Sequence, residues 1–233
     1  MRHLRRQPAP GLLPQPAALR ARPLTGRRAV RPHPRKATSM TLLQVLPATG
    51  EAKPLLTTQD PDRIAAELGV HGARFERWAL KDLAAGFGDD DVLGLYRTEA
   101  DRFSAETGLG HVEVVRMAPD DSDPRWATEA RASRDRYFNE HTHRSDEVWF
   151  FAQGRCGFYL RLADDETVHV LISEPGDLVC TPAGVRHWFD MGETPDFAAL
   201  HIYVAETDWD EAFTGDPIAS RFPHMEELLA TTR

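Results

Sequence analysis

Residues 141–154 read His141-Thr142-His143-Arg144-Ser145-Asp146-Glu147-Val148-Trp149-Phe150-Phe151-Ala152-Gln153-Gly154, and further on comes Pro182-Ala183-Gly184-Val185-Arg186-His187. In a strand, side chains two apart share a face. His141, His143, Glu147, Trp149 and Phe151 therefore face one side if the strand is regular, or if it bends without changing parity. His187 and Phe189 share a face of a later strand. A small barrel points alternate residues inward, so a His pair, a Glu and a remote His can meet there. Three imidazoles and a carboxylate suit iron, nickel, manganese or zinc and leave coordination positions open for chemistry. Taken singly, each element is ordinary. A His-x-His on an edge strand is usually solvated, and Pro-x-Gly-x-x-His can be a turn leading into a strand. The weight lies in the combination.

Outward from these segments, residues 137–204 alternate short apolar runs with turn residues. The breaks are Gln153-Gly154-Arg155, Ala163-Asp164-Asp165, Glu174-Pro175-Gly176-Asp177, Pro182-Ala183-Gly184 and Gly192-Glu193-Thr194-Pro195. Such spacing predicts an antiparallel sandwich or barrel. Upstream, residues 59–69 predict a short helix, with Asp60 as N-cap, Pro61 in the first turn and Gly69 to end it. Residues 73–78 alternate as a half-buried strand does. A helix is expected over 91–107, a strand over 111–117 and a charged helix over about 124–136. Residues 207–229 read as helix and loop packing back on the barrel.

The charge is divided. Residues 1–39 carry ten Lys/Arg, no Asp/Glu and seven prolines, which leaves 18 basic and all 36 acidic residues in 40–233. The head is +10 and the body −18, a contrast hidden in the whole-chain value of −8. A Pro/Arg-rich head with few large apolar residues cannot bury a core, and disorder is its expectation. A start codon assigned upstream of Met40, an organelle transit peptide and a nucleic-acid-binding arm are its three readings. The acidic body argues against nucleic acid or an anionic membrane as partner. No secretory signal core is visible, and no apolar run reaches membrane-spanning length. Cys156 and Cys180 lie in strand-like runs and read as buried free thiols of a reducing compartment. The expectation is one domain over 40–233, cytoplasmic and monomeric.

The two segments resemble the cupin motifs. The first motif, His-x-His, three residues, Glu, six residues, Gly, falls on His141, His143, Glu147 and Gly154. The second, Gly, five residues, Pro-x-Gly, two residues, His, falls on Gly176, Pro182, Gly184 and His187. Asp135 stands where an opening Gly is common and Met191 where a closing Asn is common; neither is a ligand position. Within the cupins, Ala73 to Trp78, Asn139 to His143, Asp146-Glu147-Val148, Phe150-Phe151, His187 to Gly192 and Phe213-Thr214-Gly215-Asp216 resemble bacterial acireductone dioxygenase, over about Met40 to Pro223.

That resemblance implies a mainly β cupin fold, a jelly-roll-like double-stranded β-barrel with added N-terminal helices. It implies one Fe(II) or Ni(II) per monomer on His141, His143, Glu147 and His187. The implied substrates are dioxygen and 1,2-dihydroxy-5-(methylsulfanyl)pent-1-en-3-one, an acireductone of methionine salvage. With Fe(II) the family gives 4-(methylsulfanyl)-2-oxobutanoate and formate; with Ni(II) it gives 3-(methylsulfanyl)propanoate, carbon monoxide and formate. Glu140 and Asp146 resemble carboxylates near the metal, with solvated strand-end carboxylates as their plainer reading. Phe189 and Trp209 match aromatics near the substrate, with core packing as theirs.

Two positions depart from the family. It typically carries Arg two residues after the ligand Glu and again in the strand after the last ligand; here Trp149 and His201 stand there. An indole offers one neutral donor where a guanidinium offers a permanent cation and five. His201, if protonated, supplies part of the charge. Otherwise Arg144, Arg155, Arg161 or Arg186 compensates, or the chain is a metal-binding cupin with altered substrate or reduced activity. A non-catalytic sensor or structural cupin is the third class.

Overall fold

Apolar runs bounded by Gly, Pro and Asp become strands, and the turns supply the backbone conformations that end them. The computed structural model describes residues 41–51, 53–204 and 211–231. Twelve strands, four α-helices and a short 3-10 helix at Pro217–Arg221 are described there. The strands and α-helices are β1 Leu42–Pro47, β2 Leu56–Thr58, α1 Pro61–Gly69, β3 Arg74–Arg77, α2 Asp89–Thr107, β4 His111–Met117, α3 Trp126–Tyr137 and β5 His141–Thr142. There follow β6 Glu147–Gln153, β7 Cys156–Leu162, β8 Thr167–Ser173, β9 Asp177–Thr181, β10 Arg186–Asp190, β11 Phe197–Tyr203, β12 Ala212–Phe213 and α4 Met225–Thr231.

The strands form two antiparallel sheets. One has seven strands in the order β12-β5-β10-β7-β8-β1-β2; the other has five in the order β3-β9-β6-β11-β4. Their facing surfaces enclose the central core, where Phe151, Phe158, Leu160, Leu171, Val179, Phe189 and Phe197 meet. Ile64 and Leu68 of α1 enter the same core. The outer face of the five-stranded sheet is covered by Val92, Tyr96, Ala100 and Phe103 of α2. The outer face of the seven-stranded sheet is covered by the C-terminal segment, through Ile218, Phe222, Met225 and Leu228. This is the β-sandwich arrangement expected from the short apolar runs, with one face of each strand inward and the other under a helical cover.

Local chemistry explains the elements. Asp60 caps α1 by accepting from the backbone of Asp62 at 2.9 Å and Arg63 at 3.3 Å, with Pro61 in the first turn. The helix expected from Asp91 begins two residues earlier, at Asp89, because Asp91 Oδ2 accepts the Gly88 backbone N–H at 2.7 Å and secures the first turn. Three acidic residues in that turn suit the positive end of the helix dipole. The expected strands at 73–78 and 111–117 and the helix near 124–136 are present with ends shifted by up to two residues. Gly154 makes the β6–β7 turn at φ +75°, and a side-chain carbon there would lie 2.0 Å from Asp196 O, so nothing larger fits. Cys156 and Cys180 are buried and free, as expected. Among the described residues, no helix is long and apolar enough to cross a membrane.

Candidate metal centre

The strand through the first motif bends, the second of the two cases that the sequence leaves open. β5 holds only His141 and Thr142 in the seven-stranded sheet, residues 143–146 turn, and β6 begins at Glu147 in the five-stranded sheet. Parity survives the bend. His141, His143, Glu147, Trp149 and Phe151 are all buried, and Trp149 and Phe151 belong to the core between the sheets. His187 on β10 is the direct cross-strand partner of His141. Such partners hold their Cβ atoms about 4.5–5.5 Å apart, which brings two imidazoles to one point.

Two further bonds tie the motif segments together. Gly184 N–H donates to His143 O at 2.9 Å, and Asp146 Oδ1 accepts the Ala183 N–H at 2.8 Å. Asp146 thus holds the turn that leads to His187.

The four side chains converge. One nitrogen each from His141, His143 and His187 lie within 4.8 Å of one another. Glu147 Oε2 is 3.3 Å from His187 Nε2 and 3.8 Å from His143 Nε2. An ion bonded at about 2.1 Å to each donor requires neighbouring donors about 3–4 Å apart, so the three imidazoles suit a metal, with the Glu147 carboxylate beside two of them. The hydrogen bonds fit as well. His141 Nδ1 meets Asn139 O at 2.7 Å and His187 Nδ1 meets Val185 O at 2.9 Å, which turns both Nε2 atoms inward. A carbonyl on the far nitrogen is the usual way a ligand histidine is oriented. Burial, then the neighbouring His187, lowers the His141 pKa to about 3, so its imidazole is neutral and able to donate a lone pair. Burial alone would raise Glu147, but His143, His187 and His201 hold it well below the usual carboxylate range.

The other carboxylate oxygen of Glu147 is held by Trp149 and His201. Trp149 Nε1 donates to Oε1 at 2.7 Å, and His201 Nε2 lies 3.3 Å from the same atom. The indole and imidazole stack at 4.3 Å between centroids, and Phe189 stacks on the indole's ring system at 5.4 Å. His201 is cross-strand partner to both Trp149 and Glu113, and its Nδ1 is 3.3 Å from Glu113 Oε1. Burial works against its charge, yet hydrogen bonds to Glu113 and Glu147 raise its pKa above the usual histidine value. The sequence expectation had His201 and Trp149 as lone replacements for arginines. It missed that they form one stacked unit on the Glu147 carboxylate, since nothing local links residues in different strands.

Glu140 is buried beside His141, 3.0 Å from Arg161, and accepts from Thr214 Oγ1 at 2.6 Å. It lines an open cleft of about 430 Å³ together with Arg136, Asn139 and Phe213. The Phe213 ring stands 5.4 Å from that of His141. Of the other arginines considered, Arg155 pairs with Glu174 at 3.0 Å, Arg186 pairs with Asp165, and Arg144 is exposed. Trp209 lies outside the described residues, as does the basic head.

Comparison with known proteins agrees with this geometry. Residues 111–211 match the ARD/ARD' family. Acireductone dioxygenase 2 of Nocardia farcinica is 45% identical over 190 residues, 82% of this chain and 98% of that protein. The chain belongs to the acireductone dioxygenase family. A second member, from Saccharopolyspora erythraea, is 39% identical over 192 residues, 82% of this chain and 100% of that protein. Among solved structures, an acireductone dioxygenase from Bacillus anthracis, described with a cadmium ion in its active centre, superposes with a TM-score of 0.62. That match has 21% identity and covers 76% of this chain and all of that one. It supports the cupin fold.

Proposed function

We propose that this chain cleaves the acireductone 1,2-dihydroxy-5-(methylsulfanyl)pent-1-en-3-one with dioxygen, in methionine salvage. The observation that carries the reading is Glu147. One of its oxygens meets the inward imidazoles, and the other is held by Trp149 and His201. His141, His143, Glu147 and His187 would hold one Fe(II) or Ni(II) per chain. The bound ion would act as Lewis acid and template for the enediolate oxygens. With Fe(II) the proposed products are 4-(methylsulfanyl)-2-oxobutanoate and formate; with Ni(II), 3-(methylsulfanyl)propanoate, carbon monoxide and formate.

The chain's own residues have distinct tasks in this reading. The carbonyls of Asn139 and Val185 keep His141 and His187 aimed. Trp149 and His201 fix the carboxylate so that it does not rotate when substrate arrives. Phe189 and Trp149 form an apolar wall that excludes water, which strengthens every polar interaction inside. Glu140, next to His141 in the chain and paired with Arg161, lines the cleft with Phe213 and is the candidate to take or return a proton of the enediol. Asp146 acts by holding the loop before His187, and Trp209 remains a candidate for the substrate pocket. Catalysis belongs to a single domain over 40–233, acting on small molecules as a cytoplasmic monomer, with neither nucleic acid nor membrane as partner.

The test is reconstitution. Metal-free protein loaded with Fe(II) should consume dioxygen in the presence of an acireductone and release formate, and Ni(II)-loaded protein should release carbon monoxide as well. No oxygen uptake with either ion would overturn the proposal.

A further inference from the structure

A second cluster of metal-ligating side chains lies apart from the centre just described. Glu67 of α1, His71 in the turn after α1 and His169 of β8 bring one donor atom each to within 4.8 Å of one another. We infer that they form a second divalent-metal site, of zinc type, which clips α1 to the seven-stranded sheet.

Register places the cluster. Across that sheet, His141 pairs with His187, His187 with Leu160, Leu160 with His169 and His169 with Val45. Leu43, Leu160 and Leu171 point into the central core, and His169 has the parity of Leu171. His169 therefore lies in the same inward row as two ligands of the first centre. Its backbone is two strands from His187, about 10 Å at the usual strand spacing. An imidazole 1% exposed on an apolar inner face needs a reason to be there.

The surroundings supply one. His169 Nε2 is 3.2 Å from Glu67 Oε1, and Nδ1 is 3.4 Å from Thr167 Oγ1. The His71 ring meets that of His169 edge-on at 5.0 Å. Glu67 and His71 are four apart, and α1 continues into a turn closed by His71 N–H on Leu68 O at 3.1 Å. That spacing sets both side chains on one face, above His169. Burial keeps His169 neutral, and the contact with His71 acts in the same direction. A neutral imidazole is a donor to a metal rather than a partner in an ion pair.

The donor chemistry sets the ligand class. Two imidazoles and one carboxylate are the ligands of borderline first-row ions, with zinc the natural occupant and remaining positions open to water. Glu67 and His71 are half-exposed, so an ion can enter from solvent, whereas His169 anchors it from within. The ion would join a helix and a strand that already meet through Glu67 and His169, with Ile64 and Leu68 in the core between the sheets. Its role is structural, and it is independent of the proposed catalytic reading.

The test is stoichiometry on the full chain. Metal-free protein is titrated with Zn(II) alone, and bound zinc is counted after equilibrium dialysis. Wild type should bind one equivalent more than Glu67→Gln/His71→Gln. That double variant should keep the equivalent held at the Glu147 centre, which also reports that it has folded. In turn, His187→Ala should lose the first equivalent and keep the second. Co(II) in place of Zn(II) should give an absorption band that the double variant lacks. Equal zinc counts in wild type and the double variant would overturn the inference and leave Glu67 and His169 as a plain hydrogen-bonded pair.

Discussion

Trp149 donates its indole N–H to Glu147 at 2.7 Å from only two residues along the same strand. Both side chains project from the inner face of β6, so the strand carries the proposed ligand together with a donor that holds its carboxylate. Trp149→Phe should retain the stack on His201 and Phe189 but remove this bond. Groups of this kind typically contribute 10–100-fold to metal affinity, so a loss of about that size is expected at the Glu147 centre. Competition with a chromophoric chelator reads it directly. Unchanged affinity would reduce Trp149 to a packing residue.

Asp190 anchors the C-terminal cover. Its carboxylate accepts from Arg134 at 2.7 and 3.1 Å, and from the backbone of Met225 and Gly192 at 2.9 Å each. Burial pushes its pKa up, but Arg134 and the two backbone donors prevail and hold it below the usual value. Its stabilisation is therefore full above the unfolded aspartate value of about 3.9 and is lost as pH falls through the lower folded value. Arg134→Ala leaves a buried carboxylate without its cation and should cost about 3 kcal/mol at neutral pH. The penalty should shrink as Asp190 begins to protonate, so the gap between urea melts of the two proteins should be smaller at about pH 3 than at about pH 7. A penalty independent of pH would assign the loss to packing.

Gly154 tolerates no side chain. Its φ of +75° disfavours L-residues, and Asp196 O and Phe197 Cα occupy the space a Cβ would need. Gly154→Ala should cost at least the roughly 1–2 kcal/mol of left-handed backbone strain. The β6–β7 turn should open first, visible as faster amide exchange at Cys156 and Phe197. Wild-type exchange and an unchanged denaturation midpoint would contradict this.

Asp146 is exposed, yet it closes the distance between the two motif segments. Asp146→Ala should lower stability by about 1 kcal/mol, the usual worth of one such bond. Bound metal should dissociate faster, because the loop before His187 is freed. Stopped-flow chelation would measure the rate, and an unaltered rate would confine Asp146 to a surface turn.

The fold class and the four convergent residues were legible because both rest on period and spacing. Parity put His141, His143 and Glu147 on one side, and it held through the bend at 143–146 because the stretch has an even number of residues. β1 was not legible. Leu42 to Pro47 is a short apolar run without a helical or strand period of its own, and its identity comes from pairing with β8. The Trp149–His201 stack and the Glu67, His71 and His169 cluster were hidden for the same reason: each joins residues distant in sequence, and strand order determines which ones meet.

The bend at residues 143–146 has a further consequence. Here the chain leaves one sheet for the other, so His141 and Glu147 belong to opposite walls of the sandwich. The number of residues in the crossing matters as much as the identity of the donors. A single inserted residue would leave every ligand present in the sequence but invert the phase of β6, turning Glu147 toward the side of Val148 and Phe150, under α2. The candidate metal centre is thus encoded partly as a length, which no scan for ligand residues alone can detect.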